Sequence, residues 1–387
     1  MNNPPPSHAR LRNDNTVLEV ALATDNVFDR VLTWLRAVPD VGSQVQRLTL
    51  ARRQRYWDRP PPPADVTACL DISLTSIFDM LALLPNLTSL NIFEVNLCRS
   101  HIPRGPLTPI PDRSFPTIKA VAIDGVHFLA MNFFPHRCTP ASPMTLLKVC
   151  PGLIKLSVGH CTWALPNEVG TLEGPHPATV LPNPIPEFRF AFPSGGSCLG
   201  VDEDLYTTIR NLPDGRGTTI MELRRLGEGA KPWATCLISE HAATLRTIRL
   251  AFTRGSDDPD PSEWDNFSLE ECPRLRSVTI DFPLGDVDAS VGPATSVLLK
   301  IVQGLSLRVT QCRIRLQAEA NTDLASMLEL MRSVPLADIA QWVVSFRPRL
   351  KVFVMARETA VEVVRQQMHA LDGLGRLVVE TELVQQR

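Results

Sequence analysis

Residues 85–92 read PNLTSLNI, and nearly the same phrase returns as PTIKAVAI at 116–123, PGLIKLSV at 151–158 and PRLRSVTI at 273–280. Counted from the first apolar residue, apolar side chains stand at places 1, 4 and 6: Leu87, Leu90, Ile92; Ile118, Val121, Ile123; Leu153, Leu156, Val158; Leu275, Val278, Ile280. The last two of each set alternate with their neighbours, as a strand with one buried face requires. Proline is disfavoured inside a helix and pushes its preceding residue out of the helical region, so Leu84-Pro85, Cys150-Pro151 and Cys272-Pro273 read as helix stops. Helix-compatible stretches stand ahead of them: TSIFDMLALL at 75–84, MTLLKVC at 144–150 and NFSLEEC at 266–272. The phrase is therefore the junction at which a helix ends and a strand begins.

The frame survives without its proline at Val45, Leu48, Leu50, at Ile185, Phe188, Phe190, and at Leu245, Ile248, Leu250, the last preceded by ATCLISEHAATL. Successive starts at 45, 87, 118, 153, 185, 245 and 275 lie 42, 31, 35, 32, 60 and 30 residues apart. The 60-residue gap is two periods and hides one degenerate or insertion-bearing unit. A helix and a short strand recurring about every 30 residues is the grammar of a repeat fold, in which each unit buries its apolar face only against its neighbours. The consensus frame L-x-x-L-x-L-x-x-N/C-x-L is met by Leu153, Leu156, Val158, Cys161 and Trp163, while Leu87, Leu90, Ile92, Val95 and Leu97 keep it with Val in the Asn/Cys place. The expected fold is α/β: a leucine-rich-repeat solenoid, or horseshoe, of about 8–9 irregular helix–strand units with a C-terminal α/β cap. A doubly wound sheet is the alternative, but it has no reason to repeat one phrase, and neither GxGxxG nor GxxxxGK[ST] occurs.

Three regions follow. Residues 1–26, polar and with a Pro-Pro-Pro run, read as a mobile tail; 27–320 carry the repeats, opened by a helix over Val27–Val38; 321–387 form C-terminal repeats or a cap continuous with them. In that last region ASMLELMRSV, ADIAQWVVSF and TAVEVVRQQMHAL predict helices, and LKVFVMA and GRLVVETEL predict strands. The proline-dense stretches at 59–65, 100–115 and 164–187 are loops, where repeat proteins often carry binding.

Composition narrows the function. The chain has 387 residues, 44% of them hydrophobic, enough to bury a core. Its net charge of −2 lacks the electrostatic footprint of a nucleic-acid or polybasic membrane binder. Nine cysteines scattered singly, without a CxxC pair, argue for reduced thiols in the cytoplasm or nucleus. No apolar window reaches the ~18 residues of a membrane span, and MNNPPPSHARLRNDN lacks the apolar core of a signal peptide.

No catalytic constellation is evident, no cofactor motif is found, and no metal set has the right spacing. His160-Cys161 suggests a thiol beside a base, but adjacent strand residues point to opposite faces, and Cys161 fills the frame's own Asn/Cys place. Cys150 and Cys272 share the slot before the repeat proline and read as core fillers. Cys138, Cys150, His160 and Cys161 lack the paired spacing of a zinc site. SGGSCLG at 194–200 does not satisfy G-x-S-x-G, and SDDPDPSEWD at 256–265 lacks the Gly and terminal Glu of a calcium loop. In ARRQRYWDR at 51–59, basic and aromatic residues mix as they do in interface hot spots, which makes Arg53, Tyr56 and Trp57, with Trp163, the candidate partner-binding anchors.

The phrases LLPNLTSLNI, VCPGLIKLSV and ECPRLRSVTI, with QVQRLTL early and GRLVVE at the close, resemble those of the fungal family of F-box-like leucine-rich-repeat proteins, over residues 27–387. In that family the repeats hold a substrate protein, while an N-terminal F-box docks the adaptor of a cullin-type ubiquitin ligase. The resemblance implies a non-enzymatic protein-binding scaffold with a protein partner and a ligase adaptor. The leucine- and proline-rich helix trio of an F-box is not evident before the first repeat strand. Two alternatives stand beside this reading: a free-standing binding module without a ligase role, and an α/β enzyme with an unrecognised site.

Overall fold

The computed structural model describes residues 4–13, 15–22, 26–52, 71–100, 113–128, 139–140, 143–159, 162–163, 185–192, 217–226, 230–252, 267–284, 292–317 and 322–381. It is an α/β structure, and its described residues fall into two compact units, one running to Ile185 and the other opening at Pro186.

The first unit opens with β1 (Ala9–Arg12) and β2 (Val17–Ala21), followed by α1 (Asn26–Ala37), α2 (Pro39–Gln44) and β3 (Arg47–Ala51). It continues with β4 (Asp71–Ser73), α3 (Leu74–Ala82), β5 (Ser89–Phe93), β6 (Asn96–Ser100), β7 (Ala120–Asp124), β8 (His127–Phe128), β9 (Thr139–Pro140), α4 (Pro143–Lys148), β10 (Lys155–Gly159) and β11 (Thr162–Trp163). The main sheet runs β1-β2-β3-β5-β7-β10, parallel except for the β1–β2 pair. A smaller sheet, β11-β8-β6-β4 with β9 antiparallel on β6, takes up the chain after each main strand turns. The turn after β5 places Glu94 at φ 51°, and the equivalent turn after β7 places Gly125 at φ 64°. Leu87, Leu90, Ile92, Val95 and Leu97 are all buried, so the whole predicted frame lies in the core.

The residues expected to be a polar tail instead carry β1 and β2. Leu18, Val20 and Leu22 alternate and are buried, and β2 lies parallel to β3 with Leu18 opposite Leu48 and Val20 opposite Leu50. A period-2 pattern of three residues outweighs the polar composition around it.

The second unit holds β12 (Glu187–Ala191), β13 (Ile220–Leu226), α5 (Lys231–His241), β14 (Thr247–Phe252), β15 (Ser277–Pro283), α6 (Gly292–Gln303) and β16 (Gln311–Gln317). After these come α7 (Leu324–Ser333), α8 (Leu336–Phe346), β17 (Lys351–Ala356), α9 (Val361–Gln367), α10 (His369–Asp372) and β18 (Leu377–Thr381). Its strands β12 to β18 pair in chain order, all parallel. Residues 321–387, expected as a cap continuous with the repeats, supply β17 and β18 to this ladder.

All seven predicted frames are strands, each beginning two residues after its first apolar residue. The 60-residue gap holds β13, whose frame is Thr218, Met221 and Leu223, all buried. A threonine in the first apolar place hides it from a hydrophobic count. A further frame, Val309, Cys312, Ile314, forms β16. NFSLEEC, expected as a helix, gives only a single 3₁₀ turn at Leu269–Glu271, preceded by Ser268 in the left-handed region at φ 51°.

The repeat proline sits second in a four-residue turn. The N–H of Leu87 donates to Leu84 O, Ile118 to Phe115 O, Leu153 to Cys150 O and Leu275 to Cys272 O, at 3.1–3.2 Å. Proline presets the backbone angle of that turn place. The same bond recurs at Arg347-Pro348-Arg349-Leu350 and, with leucine in the proline place, at Ser306-Leu307-Arg308-Val309. From turn to strand, one carbonyl accepts from two successive N–H groups of the next unit. Gln46 O serves Thr88 and Ser89, Thr88 O serves Lys119 and Ala120, and Lys119 O serves Ile154 and Lys155. Pro186, Thr219, Arg246 and Arg276 carbonyls do the same in the second unit. Turns stack closely enough that a Cβ on Gly152 would stand 2.3 Å from Pro116 O.

Candidate functional site

On a strand with one buried face, places 5 and 7 of the frame lie on the other face. In the first unit, place 5 holds Thr49, Asn91, Ala122 and Ser157, side by side in register. From β3 to β10 the row is small and neutral, with Asn91 Nδ2 donating to Thr49 Oγ1 at 3.2 Å, and beside Thr49 on β2 stands Glu19, paired with Arg12 at 2.9 Å. In the second unit the same row reads Arg189, Glu222, Arg249, Thr279, Arg313, Phe353, and the next reads Ala191, Arg224, Ala251, Asp281, Arg315, Met355, Glu380. This face is the candidate site, an interaction surface of charge and aromatic area.

Two carboxylates anchor it. Glu222, with 6% of its side chain exposed, is met by three guanidiniums: Arg189 Nε at 3.1 Å, Arg224 Nε at 2.8 Å and Arg249 Nη1 at 3.0 Å. Asp281, 3% exposed, accepts at Oδ2 from Arg249 Nε at 2.8 Å and also from Arg249 Nη2. Its Oδ1 has no hydrogen-bond partner among the described residues and stands 3.8 Å from Arg315 Nε. Arg249 therefore ties two buried charges on different strands. It can do so because Glu222 is directly opposite it and Asp281 is the diagonal neighbour.

At the edges of the lattice Arg189 Nη2 pairs with Glu187 at 2.8 Å, and Arg313 Nη2 with Glu380 at 3.3 Å. The Arg313 guanidinium also lies over the Phe353 ring at 5.3 Å, within cation–π range. The two central carboxylates lie beneath, while the five arginine side chains remain 30–48% exposed. Buried ion pairs of this kind orient groups rather than add large net stability. The face presented to solvent is a fixed layer of guanidinium edges.

Of the four anchors expected from sequence, Arg53, Tyr56 and Trp57 lie outside the described residues. Trp163 is described as backbone only, in β11 paired with β8. The charged surface is spread one or two residues per strand over the polar places of the frame, so no single stretch of sequence displays it as a cluster. Read down place 5, the sequence changes from Thr, Asn, Ala, Ser to Arg, Glu, Arg, Thr, Arg.

Cysteines 150 and 272 are buried core fillers, as the slot they share predicts. Burial pushes both thiols up to about 12, with Glu271 and Glu270 adding to the effect at Cys272. Cys312, on the core face of β16, is likewise pushed up to about 12 by burial. A thiol so shifted is not a nucleophile at neutral pH. His160, Cys161, Cys138 and residues 194–200 lie outside the described residues. Among the described residues, no three His, Cys, Asp or Glu side chains gather as a metal-binding group, and no helix is long and apolar enough to cross a membrane.

The fold and this face define an α/β protein with a charged, solvent-facing sheet surface. Compared with known proteins, the chain matches no family model, and no curated protein is significantly similar to it in sequence.

Proposed function

We propose that the chain is a non-enzymatic protein-binding scaffold, a leucine-rich-repeat-like solenoid of about 8–9 irregular helix–strand units that works in the cytoplasm or nucleus. The observation that carries this reading is the exposed sheet face of the second unit, where arginines and an aromatic ring stand in a row held from below by buried carboxylates. Arginine and aromatic residues are the types enriched at interface hot spots, and a held side chain loses less rotamer freedom on binding. The recurring turn and the shared-carbonyl pattern support the repeat description. By its resemblance to F-box-like leucine-rich-repeat proteins, the scaffold would be the substrate-recognition part of a cullin-type ubiquitin ligase.

A second reading, a free-standing binding module, draws on β1 and β2. Residues 9–12 and 17–21 are strands of the sheet, so those residues do not supply a helical adaptor-docking module. Affinity capture of the tagged chain from its own cell extract, followed by mass spectrometry, separates the two. Recovery of a ligase adaptor and cullin is expected of the first reading. Partners recovered reproducibly without them would withdraw the ligase role and keep the scaffold.

A further inference from the structure

The cationic face has a length, a polarity and unused donors. Arg189, Glu222, Arg249, Thr279, Arg313 and Phe353 occupy one row across six strands, β12 to β17. Five strand spacings of about 4.8 Å make the row about 24 Å long, the span of about seven extended residues. In this lattice five guanidiniums share four carboxylates, two of which are almost wholly covered. Arg224 uses only Nε, on Glu222, so both of its terminal nitrogens are without a partner among the described residues, in the most exposed arginine of the five. Arg313 uses only Nη2, and Arg315 makes only the long contact to Asp281. Arg224 and Arg315 therefore keep both terminal nitrogens in the fork geometry that takes a carboxylate through two bonds, and Arg313 keeps Nη1. Beyond Arg313 the row becomes apolar, with Phe353 in line and Val378 exposed next to it on β18.

We propose that this face binds an extended acidic segment of a partner protein, about seven residues long, whose carboxylates lie over Arg224, Arg313 and Arg315 and whose apolar end packs on Phe353. The proposal rests on the scaffold reading above and adds the chemistry of the partner. Charge complementarity carries it: the buried carboxylates fix the arginines in place but leave outward donors for a second set of carboxylates. The half-buried Phe353 ring, with exposed Val378 beside it at one end, sets the direction of the bound segment.

The test uses the full chain and fluorescein-labelled peptides of six glutamates with Leu-Phe at one end or the other, read by fluorescence anisotropy. Six-lysine and six-serine counterparts serve as comparisons. The glutamate peptide with its apolar pair at the favoured end is expected to bind saturably and to weaken as salt is raised. Binding should weaken about tenfold or more in an Arg224→Gln, Arg313→Gln double variant. An Arg30→Gln, Arg36→Gln variant on α1 should bind as the parent does. Equal affinity for the glutamate and lysine peptides, absence of saturable binding, or unchanged affinity in the double variant would each overturn the proposal. Should the double variant fail to fold by circular dichroism, the peptide-charge and salt comparisons on the parent chain still decide. Captured partners that bind the parent and the double variant equally would remove the acidic segment while leaving the scaffold reading in place.

Discussion

Arg249 shows how much one side chain can hold. It contacts Glu222 on one neighbouring strand and Asp281 on the other, both almost wholly covered. Arg249→Met should lower stability by about 3 kcal/mol, because it strands Asp281 with only the 3.8 Å contact to Arg315. Adding Asp281→Asn should recover part of the loss by removing the stranded charge; chemical denaturation of the single and double variants measures both. Arg347 presents the opposite case. It is buried, its guanidinium lies 5.1 Å over the Trp342 ring, Nη1 has no hydrogen-bond partner among the described residues, and burial pushes its pKa down. An unsatisfied buried donor is a cost of about 1–3 kcal/mol, so Arg347→Met should raise the melting temperature, and a clear fall would show that the guanidinium stabilises the fold. Neither role could be read from sequence, since both depend on which strands become neighbours.

At the scale of the element, the eight-residue phrase carries most of what the chain needs. Its proline stops the helix, presets the turn and leaves the next strand in register. Every strand it announced is present, because each depends on local rules of turn and alternation. The elements that escaped include β1 and β2, short alternations set in polar sequence, and those with a locally ambiguous sign: Thr218 in an apolar place before β13, and Arg313 and Arg315 interleaved with the core residues of β16. At Leu307 the turn lacks its proline and leaves an apolar side chain 82% exposed. Leu307→Pro should therefore stabilise by about 0.4–1 kcal/mol, by restricting the unfolded chain in a conformation the turn already adopts. A lower melting temperature for this variant would mean that the turn differs from its prolyl relatives. At the far end of the ladder, Arg376 donates to the carbonyls of Val343, Arg347 and Leu350, so the C-terminus of α8 is capped by the residue that leads into β18.

At the scale of the molecule, the two units bury the same kind of core and show solvent different faces. Their buried thiols offer a reporter for each: Cys150 in the first, Cys272 and Cys312 on neighbouring repeats of the second. With all three pushed up to about 12 and buried, none should be alkylated in the native state at neutral pH. On titration with denaturant, Cys272 and Cys312 should become labelled together, and mass spectrometry of each cysteine peptide gives the midpoints. Separate midpoints for those two would show that the second unit does not unfold as one. The neutral row of Thr49, Asn91, Ala122 and Ser157 and the charged row of the second unit also differ in how freely they can change over generations. Substitutions in the neutral row touch little beyond one weak hydrogen bond, and surface changes of that sort usually alter stability by about 0.5 kcal/mol or less. In the charged row, a change at Glu222 removes a partner from three arginines and leaves Arg224 with none of its ion pairs, and a change at Arg249 leaves Asp281 with only the 3.8 Å contact to Arg315. Related chains should therefore drift singly at places 49, 91, 122 and 157, and in matched sets at 189, 222, 249 and 281, so that the charged face of the second unit changes in blocks.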